Sequence, residues 1–229
     1  MLHPNKIASP NSNAMPTLYN KIANKSLERL AAISDGIFAV AMTLMVLDLH
    51  APLAESIHSE HDLQRALYKL APHLLVYLMS FMTLGIFWNG QQTQLGFFSR
   101  SDRDLTWLHL AFLFTLTIMP FTTQLLAEFL SYRTALVVYW LNILLPGLLL
   151  YASWRYATRA GLLKDDLPFE IRRAVRRRVV LAQTLYAIGA LLCIFGTLWS
   201  VGFILLVQLN YAVAPRRAWF KKREAEDAT

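Results

Sequence analysis

Arg29, Ser34, Asp35 and Asp48 stand in the run RLAAISDGIFAVAMTLMVLDLH (29–50), which is otherwise almost wholly apolar. A carboxylate one turn inside such a run is costly to bury, so Asp35 must face protein and be hydrogen-bonded. At 100° per residue, Ile33, Ile37, Val40, Leu44 and Leu47 form a bulky stripe with 4-3-4-3 spacing. A stripe of small residues, Ala32, Gly36, Ala39 and Thr43, runs beside it. Asp35 points about 140° away from Val40. Two readings fit: a helix whose bulky stripe is bundle core with Asp35 as a satisfied strut, or a helix whose stripe does the work.

Other chemistry is sparse. There is no phosphate-binding glycine loop, no HExxH and no GxSxG, so no enzyme motif is present and no cofactor is implied. The stretch HAPLAESIHSEHD holds His50, His58 and His61 among Glu55, Glu60 and Asp62. Zinc needs three or four fixed ligands, and this composition is that of a solvated acidic loop, so no metal site is expected. The run RRAVRRR (172–178) lies just before an apolar segment. That position suits membrane topology and anionic lipid headgroups, not nucleic acid. Its arginines are beside the segment and not at every third position within it, which excludes a voltage sensor. Gly189, Cys193, Gly196 and Ser200, at i, i+4, i+7 and i+11, read as a helix-packing stripe. Asn24-Lys25-Ser26 matches a glycosylation acceptor on the cytoplasmic side and is discounted.

The elements that must carry these residues follow from composition. The 229 residues are 55% hydrophobic and only 16% charged, against about a quarter charged in a soluble domain. Six apolar segments approach membrane length: 31–49, 70–88, 105–127, 134–154, 179–198 and a short 201–214, the last two parted by a turn at Trp199–Gly202. Of the 22 Lys and Arg residues, 19 fall in an N-terminal arm, the second-to-third loop, the fourth-to-fifth loop and the C-terminal tail. The positive-inside rule then places both termini in the cytoplasm, which requires an even number of spans. The fold class is all-α: a multi-pass protein of the cell membrane with one six-helix domain (27–215). A disordered arm (1–26), in which Met15 is an alternative start, precedes it, and a basic tail (216–229) follows. The lone Cys193 excludes an intrachain disulfide.

RLAAISDG resembles the signature of the transmembrane protein 175 family of potassium channels, Arg-x-x-x-Phe-Ser-Asp-Gly. Arg29, Ser34, Asp35 and Gly36 match it, and Ile33 replaces the phenylalanine. IFAVAMTLMVLDL, Trp88 and PFTTQLLAE (120–128) extend the resemblance over most of the chain from about residue 27. Two departures stand out. Gln91 and Gln92 occupy the place of paired histidines, and His109 stands where asparagine is common, so polar contacts to the first helix must be wired differently.

The resemblance implies a homotetramer whose first helices line a central pore, with no re-entrant filter loop and potassium as the permeant ion. Val40, Leu44 and Leu47 then correspond to a hydrophobic constriction, Thr43 to a polar contact at its edge and Asp48 to the outer mouth. Arg29, Ser34, Asp35 and Gly36 hold the helix, and His109 is a candidate donor to Asp35. Val40 is smaller than the residue similar channels tend to carry, which shifts the tightest ring toward Leu44 and weakens selectivity. Two other classes compete: a proton-coupled transporter using Asp35, and a non-conducting scaffold. The carrier is disfavoured because Pro146-Gly147 has no twin in an inverted repeat.

Overall fold

A computed structural model of the protein describes the main chain from residue 18 to residue 226 and the side chains from 27 to 212. It is all-helical: α1 (Leu18–Leu44), α2 (Glu60–Phe97), α3 (Arg103–Thr117), α4 (Met119–Glu128), α5 (Arg133–Arg159), α6 (Phe169–Leu191) and α7 (Thr197–Glu226). Among the described residues, five stretches are long and apolar enough to cross a membrane, with α3 and α4 together forming one of them. Thr197–Ala212 is a shorter apolar helix.

Three boundaries differ from the sequence reading. Helix α1 opens at Leu18, inside the stretch expected to be disordered; residues 1–17, with Met15, lie outside the described residues. The third apolar segment breaks at Ile118, because Pro120 supplies no amide hydrogen and its ring crowds the preceding turn. Asn142 Nδ2 donates to the Thr115 carbonyl there at 2.9 Å, satisfying a group the break exposes. The last turn lies at Leu192–Gly196 instead of Trp199–Gly202, with Gly196 at φ 157°. The sequence Gly189, Cys193, Gly196, Ser200 is therefore split between two helices. Gly189 faces α7 within the same chain, where an added Cβ would stand 2.8 Å from Ile204.

Helix α5 packs against α2, α3, α4 and α6, while α7 lies against α2 and α6. The core joins Phe38, Met79, Leu84, Phe112, Leu136 and Ile204 from α1, α2, α3, α5 and α7. Polar side chains stitch its middle: Thr123 donates to Ser80 (2.8 Å), Ser80 to the Tyr139 hydroxyl (3.1 Å), and Gln208 to Thr83 (2.6 Å). In an apolar surround such groups act as glue between helices. At one end, Ser99 donates to the Leu162 carbonyl and Lys164 to that of Phe97, clasping two connecting loops. Asp102 caps α3 by accepting from Leu105 N and also takes the Tyr156 hydroxyl at 2.6 Å.

Candidate functional site

Helix α1 meets its own bundle through Leu30, Ser34, Phe38, Ala41 and Met45, all buried, and Phe38 sits 6.1 Å from the Phe112 ring. This stripe lies roughly 120° around the helix from Val40. The bulky stripe is left outside: Val40 is 56% exposed, Leu44 45% and Leu47 67%, with Ile33 exposed and Ile37 half-buried. The core-packing reading of that stripe is thereby excluded for the single chain. From Leu44 onward the helix tightens to a 3-10 turn, Met45–Asp48. Residues three apart eclipse in that geometry, so Leu47 stands above Leu44 more directly than an α-helix would set it. The small stripe, Ala32, Gly36, Ala39 and Thr43, is exposed as well. A Cβ on Gly36 would meet nothing within 4 Å, so the chain's own packing does not require a glycine there. An apolar groove of about 340 Å³ runs along Ile33, Val40 and Leu44 beside Thr117 and Pro120 at the α3–α4 break.

One turn from this face, polar side chains tie α1 to α2. Ser34 donates to the Leu30 carbonyl at 2.6 Å and accepts from Gln91 Nε2 at 2.8 Å. Asp35 Oδ1 accepts from Trp88 Nε1 at 2.7 Å and from Gln92 Nε2 at 2.6 Å. The two glutamines that replace paired histidines are thus the residues that bind the motif. His109 is not the donor to Asp35: its Nδ1 bonds the Leu105 carbonyl of its own helix, and its ring packs edge-on to Phe98. Its buried Nε2 and Gln91 Oε1 have no partner. Asp35 remains exposed at the edge of the bundle and does not point into it, because its donors sit on the outer flank of α2. Arg29 is exposed, with no hydrogen bond or ion pair to any of the described residues. The Thr43 hydroxyl donates to its own helix at Ala39 and Val40 and keeps its lone pairs outward. Asp48 is half-buried, a third of a turn from Leu47. Among the described residues no group of three or more His, Cys, Asp or Glu could hold a metal ion.

The model of the family described as "Endosomal/lysosomal potassium channel TMEM175" matches residues 29–120, from the α1 motif through the α3–α4 break. A protein of Streptomyces collinus named potassium channel is 34% identical over 194 residues, covering 82% of this chain and 84% of its own. The chain belongs to the TMEM175 family. That family is one of channels and not of enzymes. Among TMEM175 relatives, a potassium channel of Chamaesiphon minutus is 28% identical over 189 residues, covering 81% of this chain and 93% of its own. The human endosomal/lysosomal proton channel TMEM175 is 26% identical over 184 residues, 80% of this chain but 36% of its own length. The TMEM175 fold is borne out by a crystal structure, that of a lysosomal potassium-selective channel TMEM175 homologue from Chamaesiphon minutus. It matches with a TM-score of 0.73 and 25% identity, over 83% of this chain and 98% of its own. The protein is a multi-pass membrane protein of this family.

Proposed function

We propose that four copies of the chain surround a potassium-permeable pore in the cell membrane, lined by α1 and narrowed by Val40, Leu44 and Leu47. One observation carries this reading: α1 packs on its own bundle by one stripe and presents a second, equally apolar stripe outward. That outward face is bounded by the hydrogen-bonded Asp35, and a carboxylate there is ill suited to lipid. Another subunit or water must meet it. Closed rotational symmetry brings four copies of the outward stripe to one axis, and the small stripe beside it lets neighbouring backbones approach closely.

A ring of aliphatic side chains offers an ion no ligands, so a passing ion sheds water without full replacement. Potassium loses water more cheaply than sodium, giving a real but modest preference. Ser34 and Asp35 hold α1 in register on α2, Gly36 leaves room for a neighbouring copy, Thr43 supplies oxygen at the edge of the constriction, and Asp48 attracts cations to the outer mouth. The basic loops and both termini face the cytoplasm, with anionic headgroups beside them.

The names of the animal relatives raise proton permeation as a second reading. A flux assay on the full chain in liposomes tests both. Potassium should leave down its gradient faster than sodium, with no coupled proton movement. A proton signal without potassium flux would replace the first reading by the second. Obligatory coupling of the two would make the protein a carrier, and no flux at all would make it a scaffold.

A further inference from the structure

The arginine run 172–178 does more than border a span. At the arginine-rich end of the bundle, Arg173, Arg177 and Arg178 of α6 and Tyr211 of α7 line a cleft of about 670 Å³. Glu170 is the one carboxylate among the described residues of its walls. Behind it a chamber of about 240 Å³ lies between α2, α5, α6 and α7, and the two cavities share Ala174, Arg178 and Tyr211. The walls of the chamber are mostly apolar: Phe87, Gly90, Phe97, Leu150 and Val175 are among them. By volume it would take about eight waters, but these walls give water few partners.

Four polar groups in that chamber lack any partner: Gln94 Oε1, Gln183 Oε1, and the hydroxyls of Tyr186 and Tyr211. Gln94 and Tyr186 are 1% and 2% exposed. Buried polar groups are normally satisfied, so the two hydroxyls, left unpaired on residues that wall the cavity, still have a proton to donate to a ligand. The site therefore asks for an anion at the mouth, acceptor oxygens near the two tyrosines and hydrocarbon inside.

We propose that this cleft and chamber bind one anionic phospholipid per chain. Its phosphodiester lies against Arg173, Arg177 and Arg178, whose guanidinium forks match phosphate oxygens two at a time. The Tyr211 and Tyr186 hydroxyls donate to the ester carbonyls, and the upper part of one acyl chain fills the chamber. A basic pocket between membrane helices is the expected form of such a site. A free phosphate would satisfy the arginines but leave the tyrosines and the apolar space unfilled. The site lies apart from α1 and stands whether or not the pore reading does.

The full-length protein, stripped of lipid in a neutral detergent, is titrated with phosphatidylglycerol, phosphatidylcholine or inorganic phosphate. Bound adducts are counted by native mass spectrometry and the melting temperature is followed. Phosphatidylglycerol should bind saturably and raise the melting temperature, while phosphatidylcholine, whose choline cation is repelled by the three arginines, binds at least about tenfold more weakly. Replacing Arg177 and Arg178 together by Gln should bring phosphatidylglycerol down to the phosphatidylcholine level. Gly90→Leu projects into the chamber, where an added Cβ first meets Leu150 at 3.9 Å. It should weaken lipid binding about tenfold or more without touching the arginines, and Ala182→Leu repeats the test from the opposite wall. Equal binding of the two lipids by the unaltered protein overturns the proposal, whatever the variants do. So does full stabilisation by inorganic phosphate alone, which would mark a free-anion site. Phosphatidylglycerol binding that survives the double arginine change overturns it as well.

Discussion

Leu44 stands at the centre of the outward stripe of α1, one α-helical turn past Val40 and directly beneath Leu47. In the proposed tetramer four leucines around the axis would exclude bulk water, so Leu44→Ala should raise single-channel conductance and erode the preference for potassium together. Leu44→Asn should do the same by wetting the ring. Bilayer recordings check both, and normal assembly with unaltered conductance in the two variants would remove the stripe from the ion path. Asp35 acts differently, as an acceptor shared by Trp88 and Gln92. Asp35→Ala strands two donors and should cost about 1–3 kcal/mol of stability. Asp35→Asn keeps one acceptor oxygen and should cost less. Thermal unfolding in detergent measures the pair, and equal stability of all three proteins would show that these bonds contribute nothing. That Gln92 holds Asp35 was not readable from the chain. The motif and the unusual glutamines were visible, but contacts 53 and 57 residues apart are chosen by packing. His109, a polar residue on a neighbouring helix, was therefore an equally reasonable guess until its ring was seen turned to Leu105 and Phe98.

Two glycines separate the uses to which a helix puts a missing side chain. Gly189 lets α6 and α7 close on each other, and a Cβ there would crowd Ile204 at 2.8 Å and Phe203 at 3.1 Å. Gly189→Ala should destabilise the subunit by about 1–3 kcal/mol through overpacking. Gly36 has open space before it. Gly36→Ala should leave subunit unfolding untouched and weaken only the association between copies, as resolved by light scattering in mild detergent. The reverse pattern would exchange the two roles. The apolar blocks and basic loops made the spans legible, because hydrocarbon thickness imposes length and charge imposes hand. Breaks inside apolar sequence were harder. Pro120 was the available signal for the α3–α4 break, but apolar residues run on through it. At the last turn, LCIFG stays apolar, so hydropathy carried the helix past its end toward the next glycine at 202. The buried stripe of α1 escaped notice because it includes Ser34 and two small or flexible residues, Ala41 and Met45, while branched aliphatics drew attention to the other face.

A single subunit leaves Ile33, Val40, Leu44 and Leu47 uncovered along one helix, and the proposed assembly would cover them. With Cys193 replaced by Ser, a cysteine at Leu47 offers a direct probe of the symmetry. Leu47→Cys in liposomes should give disulfide-linked dimers on mild oxidation, since copies of α1 meet at the axis. A cysteine at Leu206, which is 67% exposed on α7, away from α1, should not. Equal yields from the two positions would argue for random collision and against a central α1. The close seat of Gly189 on Ile204 has a consequence for how the chain sits in the bilayer. The apolar part of α7, Thr197–Ala212, reaches about 24 Å at 1.5 Å per residue, short of the ~30 Å core, and carries Gln208 besides. By itself it is too short to cross the core and would be a poorly stabilised span. Folded back on α6 it is one half of a hairpin, with Gln208 buried and bonded to Thr83 of α2. A chain that ended before residue 197 would leave α2 and α6 without the helix that covers them.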